Sequence, residues 1–310
     1  MRKVLLTGAS GFIGRQCLPF LHERGFSVHA VSRHAPADHD PASGTTWHAT
    51  DLRDPDAVAR LLEEVAPTHL LHFAWIATPG VYWTSLENLD WVRASLDLLK
   101  RFEQHGGQRV VMAGTCAEYE WGSGVFHETR SPLVPATTYG QSKNHLRGLL
   151  ETFARRTETS AAWGRIFFVH GPHEPHARLV ASVARALLRG QNVACTHGRQ
   201  VRDFLHAEDV ASAFVALLDS DVTGAVNIGS GRGVTLGEVI HGLADRLDAR
   251  ALVQLGAREC PADEVATLVA DVGRLTHEVG WKPAFTLDEA LDRTLASWQD
   301  ELAREQAPCD

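Results

Sequence analysis

The chain has 310 residues, 44% of them hydrophobic and 22% charged, enough to bury a large core as one domain or as two joined ones. A formal net charge of −8, without any block of Lys or Arg, argues against nucleic acid or an anionic membrane surface as the main partner. No apolar run is long enough to span a bilayer, and the five scattered cysteines (Cys17, Cys116, Cys195, Cys260, Cys309) read as reduced thiols of a cytoplasmic protein.

The basic start at Arg2-Lys3 is followed by an apolar stretch that glycines interrupt almost at once, so it reads as a first strand rather than a signal sequence. Val4-Leu5-Leu6 leads into Thr7-Gly8-Ala9-Ser10-Gly11-Phe12-Ile13-Gly14, and a helical pattern follows with Cys17, Leu18 and Leu21 on one side. Strand, glycine turn and helix is the setting a dinucleotide fingerprint needs. Gly8 permits the turn, Gly11 lets the backbone approach a pyrophosphate, and Gly14 allows close packing of the helix. Ser10, Phe12 and Ile13 complete the loop, and the phosphates would sit on N–H groups at the helix start.

Ser27–Val31 reads as a second strand ending in Ser32-Arg33-His34, where an NAD site usually carries an acid for the ribose 2′-hydroxyl. A hydroxyl and a guanidinium suit a 2′-phosphate instead, so NADP(H) is favoured over NAD(H); an ordinary exposed loop arginine is the competing reading. Trp47–Leu52 reads as a third strand whose end, Asp51-Leu52, is a place for adenine. A fourth strand, Leu70–Ala74, brings Phe73, Ala74 and the following Trp75 toward the pyrophosphate and nicotinamide ribose. Arg109–Ala113 is a fifth, running into Gly114-Thr115-Cys116-Ala117-Glu118-Tyr119. Helical stretches at Asp56–Glu64 and Leu86–Gln104 alternate with these strands, which predicts an α/β fold with a Rossmann doubly wound parallel sheet.

Tyr139-Gly140-Gln141-Ser142-Lys143 sets a phenol and an ammonium four residues apart, on one face of a helix. The ammonium favours the phenolate, so Tyr139 is expected to titrate below the usual tyrosine value of about 10 and to pass a proton to or from an alcohol or carbonyl oxygen. The same spacing occurs on plain solvated helix faces; the company of a dinucleotide loop gives it chemical meaning here. The 17 histidines form neither H-E-x-x-H nor a Cys/His cluster, so no metal site is expected.

Taken in order with Arg165–Pro172, Val201–Val210 and Gly280-Trp281-Lys282-Pro283, these motifs resemble the extended short-chain dehydrogenase/reductase (NAD-dependent epimerase/dehydratase) family, in its nucleotide-sugar 4-ketoreductase branch, from Val4 to about Trp281. The resemblance implies Tyr139 as acid/base at the reacting oxygen. It implies Lys143 as the charge that tunes Tyr139 and holds the nicotinamide ribose. Thr115 would bond the same oxygen, with capping of its own backbone as the competing reading. Phe168 and His170 would face cofactor and substrate. A nucleotide-sugar-binding lobe of residues 170–203 and 230–310 would sit beside a Rossmann domain of residues 1–169 and 204–229. Arg178 and Arg202 are candidate diphosphate or base contacts, a surface salt bridge competing for Arg178. Cys116 adjoins the substrate, and Arg258 is the nearest candidate for a third arginine. Asp203, His206 and Asp209 organise the local fold.

Some positions depart from the family pattern. Phe168 and His170 stand where Asn and Tyr are usual, and Trp75 replaces a small residue. Trp75 and Trp83 either wall a deoxysugar or pack the core, whereas Trp91 packs the core. By resemblance, helices 86–104 and 139–155 form a homodimer interface, and the tail from Asp300 frays. The implied activity is NADPH-dependent reduction of a nucleotide-linked 4-keto-6-deoxyhexose. The alternative is an NAD-dependent 4-epimerase or a dehydratase, although dehydratases follow the catalytic Thr with Asp-Glu and this chain has Cys116-Ala117. A non-catalytic NADP-binding protein is the remote alternative.

Overall fold

Alternation along the strands sets the architecture: Val4 and Leu6 pack into one apolar layer and Leu5 into another. The structure, a computed structural model, describes residues 2–34, 41–122, 124–261 and 264–306. Seven strands form its main sheet: β1 (Lys3–Thr7), β2 (Ser27–Ser32), β3 (Thr45–Ala49), β4 (His69–His72), β5 (Arg109–Thr115), β7 (Ser160–Ile166) and β11 (Gly224–Ile228). Their spatial order is β11-β7-β5-β4-β1-β2-β3 and every pairing is parallel. Parallel strands need crossovers, and α-helices pack on both faces of the sheet. On one face lie α1 (Gly14–Glu23) and α6 (Ala207–Leu218), which contribute Cys17, Leu21, Val210 and Phe214 to the core. The other face is covered by α2 (Pro55–Val65), α3 (Glu87–Gln104) and α4 (Thr138–Ala154), which supply Leu62, Leu98, Phe102 and Leu146.

A second sheet holds β6 (Gly124–Phe126), β8 (Phe168–His170), β10 (Val201–His206), β12 (Gly233–Thr235) and β14 (Thr267–Ala270). Around it, α5 (Leu179–Leu188), α7 (Leu236–Arg246) and α9 (Leu287–Gln306) share a separate apolar cluster containing Val183, Ile240 and Trp298. A two-stranded pair, β9 (Val193–Ala194) with β13 (Val253–Gln254), and the short α8 (Gly273–His277) complete the described elements. Phe204–His206 therefore lies in the second sheet, while α6 and β11, which follow it, pack in the first.

The fourth strand ends at His72 rather than Ala74 and the fifth runs to Thr115 rather than Ala113, and two further boundaries differ from the sequence reading. The third strand ends at Ala49, because Asp51 turns the chain, accepting from the N–H of Arg53 at 3.0 Å, before Asp54 caps α2. The C-terminal segment is helical through Gln306 rather than frayed from Asp300. Arg185 pairs with both Glu301 and Glu305, and Arg189 with Glu305, which ties the end of α9 to α5. Cys309 lies outside the described residues; Cys17, Cys116, Cys195 and Cys260 are unpaired thiols. Among the described residues, no helix is long and apolar enough to cross a membrane.

Candidate active site

The glycine turn is built so that no side chain fits where a ligand's backbone contacts are needed. Gly8 has φ +68°, and a Cβ there would come within 2.8 Å of the Ala74 nitrogen. At Gly14 a Cβ would fall 2.1 Å from the Gly8 carbonyl oxygen, so the start of α1 packs on the turn itself. Gly11 donates its N–H to that same carbonyl, and Ile13, at the N-cap of α1, offers no side-chain acceptor to the helix. Ser10 uses its carbonyl to hold the Arg15 guanidinium, while Phe12 lies 5.9 Å from the Arg178 guanidinium. The N–H groups opening α1 are aimed toward the carboxyl edge of the sheet, an arrangement suited to a pyrophosphate.

At the neighbouring strand ends, Ser32 is buried and donates to the carbonyl of His34 at 2.5 Å, while Arg33 is exposed. Asp51 is held bidentately by Arg53, at 3.1 and 2.9 Å, and this bond depresses its carboxyl below the usual range. Leu52 is buried with the α2 side of the core. Phe73 packs against Phe214 under the sheet, and Ala74 donates its N–H to the Thr7 hydroxyl at 3.4 Å.

Thr115 is the last residue of β5. Its N–H donates to Glu118 at 2.8 Å, and its hydroxyl accepts from the N–H of Ala117 at 3.2 Å. That hydroxyl also lies close enough to the phenol of Tyr139, at the start of α4, to favour its ionised form. Behind Thr115, Glu118 is completely buried and accepts from Trp163 at 2.8 Å and from Arg165 at 2.7 Å. Two buried charges meet there, Arg165 bonding through Nε and Nη1 while its Nη2 has no partner among the described residues, and the Glu118 bonds fix the backbone that aims the Thr115 hydroxyl.

Lys143 does not act on Tyr139 as its spacing suggested. The ammonium is buried, donates to the carbonyl of Ala113 at 2.8 Å and lies 3.7 Å above the ring of Trp75. Burial lowers its pKa to about 7, against the pull of Glu118. Burial of the phenol, with Tyr82 beside it, raises Tyr139 above its ordinary value, and the nearby Thr115 hydroxyl only partly opposes this. Desolvation acts on both groups, and helical spacing alone does not report it.

Aromatic side chains crowd the phenol. Tyr82 lies 4.9 Å and Trp83 5.8 Å from the Tyr139 ring, and Trp121 stands 5.9 Å from Trp83. The Tyr139 N–H donates to the Trp83 carbonyl, joining that loop to α4. Trp75 donates to Asn88 at 2.8 Å, and Asn88 in turn donates to the carbonyls of Tyr82 and Ser85, so the loop is anchored to α3. Trp91 tilts against Trp75 in the same layer. Tyr82, Trp121, Glu118 and Asn88 were missed as site residues. Trp121 follows the Thr115 motif directly, and an aromatic count along that loop would have found it.

Cys116 is buried, and burial raises its thiol to about 12, so it is a poor proton carrier at neutral pH. Phe168 packs on Phe204, with the Arg202 guanidinium 5.4 Å from its ring. Arg202 is buried and paired with Glu264. Arg178, half-buried, faces Glu174 at 3.7 Å and lies near Tyr82, whose phenol burial pushes up to about 12 with only a partial opposing pull from the guanidinium. Arg258 sits exposed on the turn after β13.

His170 is the clear displacement from the sequence reading. Rather than facing cofactor and substrate, it bonds Thr294 on α9 at 2.9 Å and packs against His206. It borders a cavity of about 310 Å³ lined also by Phe204, Arg232 and Phe285, and none of Thr115, Tyr139 or Lys143 lines that cavity. Asp203 receives the N–H groups of Ser230, Gly231 and Ala270, and Asp209 those of Ala284 and Phe285, which ties loops together. Among the described residues, His127, Glu128 and Asp271 have metal-ligand spacing. Asp271 is already engaged there by the Gly273 N–H and faces Arg130 at 3.8 Å.

The profile of the NAD dependent epimerase/dehydratase family matches residues 4–229. A UDP-glucose 4-epimerase of Corynebacterium glutamicum is 26% identical, covering 92% of each chain. The CDP-abequose synthase of Salmonella typhimurium is 24% identical over 94% of this chain and 97% of its own. The crystal structure of the Thermus thermophilus UDP-glucose 4-epimerase in complex with NAD superposes with a TM-score of 0.80, at 26% identity, over 96% of this chain and 99% of that one.

Proposed function

Because the chain belongs to the NAD dependent epimerase/dehydratase family, we propose that it moves a hydride at C4 of a nucleotide-linked hexose, with Tyr139 as the proton-transfer group. One observation carries this reading: the Tyr139 phenol and the Thr115 hydroxyl lie close enough to influence each other at the carboxyl edge of the sheet that also carries the glycine turn. An oxygen on C4 bound there would meet two hydroxyl donors, so a proton and a hydride could be exchanged at one carbon.

A bound dinucleotide would supply the hydride. Gly8, Ser10, Gly11, Phe12, Ile13 and Gly14 would hold its pyrophosphate, and Asp51 and Leu52 its adenine. Phe73, Ala74, Trp75, Lys143 and Phe168 would flank its nicotinamide half. Arg178 and Arg202 would meet the substrate diphosphate, with Arg258 at the outer edge. Residues 1–169 with 204–229 would act as the cofactor-binding unit, and 170–203 with 230–310 as the nucleotide-sugar-binding lobe.

The names of the relatives favour the 4-epimerase direction, in which the cofactor is retained and the hydride returned. A specific observation favours a second reading, net NADPH-dependent reduction of a 4-keto-6-deoxyhexose. The end of β2 offers Ser32 and the exposed Arg33, with no acid for a ribose 2′-hydroxyl. Dehydration is disfavoured, because Cys116 and Ala117 follow Thr115 where an acid pair would be needed. Protein that retains NAD through purification and interconverts C4 epimers without added cofactor is an epimerase. Consumption of one NADPH per 4-keto sugar nucleotide identifies the reductase. In either direction Tyr139→Phe lowers kcat by about 10²–10⁴; unaltered turnover would remove Tyr139 from the mechanism.

A further inference from the structure

Lys143 is only 3% exposed, so its close partners rather than water decide where the ammonium rests. The Ala113 carbonyl accepts from it at 2.8 Å, and the Trp75 ring lies 3.7 Å from the nitrogen. The ring of Trp163 is farther away, at 5.9 Å. The titratable groups that exchange charge effects with it are Glu118, just after β5, and His72 on β4. Glu118 is already paired with Arg165 and accepts from Trp163, and burial keeps His72 neutral. The Ala113 oxygen and the Trp75 face are therefore the contacts that hold the cation.

Trp75 is itself fixed in orientation. Its indole N–H donates to the side-chain oxygen of Asn88 at 2.8 Å. Asn88 is fully buried and donates to the carbonyls of Tyr82 and Ser85, at 2.7 and 2.8 Å. Trp91 tilts against the same ring, with centroids 6.3 Å apart. A buried ammonium gives up hydration that one carbonyl does not replace, and the negative face of an indole offsets part of that loss only while the group is charged. Trp75 stands where the family pattern has a small residue, so this support belongs to the chain rather than to the Tyr–Lys motif.

We propose that Trp75 is a positioning residue for Lys143, its indole face keeping the ammonium in place at the end of β5 until a nicotinamide ribose takes it over. This rests on the cofactor role proposed for Lys143 and names the side chain through which that role is prepared.

The test compares Trp75→Phe with Trp75→Leu. Both lose the indole N–H and open similar space, but only phenylalanine keeps an aromatic face. The lysines of the chain are Lys3, Lys100, Lys143 and Lys282, so protein carrying isotope-labelled lysine gives a simple spectrum in which Lys143→Met assigns the Lys143 resonance. Loss of the aromatic face favours the neutral amine. Lys143 should therefore release its proton at a pH about 0.5–1 unit lower in the leucine variant than in the phenylalanine variant. With whichever of NADH and NADPH the unmodified protein binds, the leucine variant should bind about 3- to 10-fold more weakly above both midpoints, and the two should converge below them. Circular dichroism checks folding, and Trp75→Met is the second non-aromatic variant should the leucine protein not fold. Identical lysine titrations and dinucleotide affinities in the folded aromatic and non-aromatic variants overturn the role of Trp75 and leave C4 chemistry intact. Binding of neither dinucleotide to the unmodified protein overturns the cofactor reading and the positioning role with it.

Discussion

At the level of single residues, Lys143 shows how burial reshapes a short motif. Its ammonium is enclosed by the Ala113 carbonyl and the Trp75 ring, and its pKa falls to about 7. The unfolded chain holds this proton up to about pH 10.5, so between these values the unfolded state binds more protons than the native one. Stability contributed through Lys143 therefore rises with pH across that window and is at its lowest below pH 7. Lys143→Met should abolish that upward slope, stabilise the fold at pH 6 relative to pH 9, and still eliminate turnover. Melting temperature against pH, compared with the unmodified protein, measures it; parallel curves would show that the native lysine titrates normally. The Tyr139–Lys143 spacing was legible because four residues along a helix form a local relation. Ala113, 30 residues away, and Trp75 on another strand end were not, because nothing local announces a tertiary partner. His170 is the same case: its partner Thr294 is 124 residues distant.

Among the elements, the β1–α1 turn was read most completely from sequence, since glycine spacing and flanking periodicity are themselves local. Its steric basis is sharper than expected. Gly14 makes room for the Gly8 carbonyl rather than for the sheet as a whole. Gly14→Ala should force the turn and the first helical residues apart, costing about 1–3 kcal/mol and weakening dinucleotide binding at least tenfold. Chemical denaturation and cofactor titration check the two parts. Retained affinity would mean that the turn relaxes without loss of the phosphate site. The second sheet was harder to anticipate: β6, β8 and β12 have three residues each, too short for a hydrophobic period to emerge.

For the molecule as a whole, the two layers covering the main sheet are unequal. Most of α6 is buried, whereas α3 and α4 leave Leu89 and Leu149 exposed, with Leu86 just before α3. Exposed leucines on neighbouring helices suit a two-fold contact between copies, as proposed for residues 86–104 and 139–155. Light scattering should give a dimer, and Leu89→Glu with Leu149→Glu should give a folded monomer. A monomeric unmodified protein at micromolar concentration would exclude that interface. Such a contact would rest on the helix carrying Tyr139 and Lys143 and on the helix holding Asn88.

The indole stacked on Lys143 also gives this protein an optical handle. Trp75 emits from a site where a cation lies 3.7 Å from its ring, and the arriving nicotinamide ribose would compete for that cation. Cofactor entry should therefore register as a change in tryptophan fluorescence before any sugar is turned over. With Trp75→Phe, the part of the signal that reports the lysine's release is lost, while ordinary quenching by the dinucleotide remains. A stopped-flow trace could then separate occupation of the site from release of the lysine.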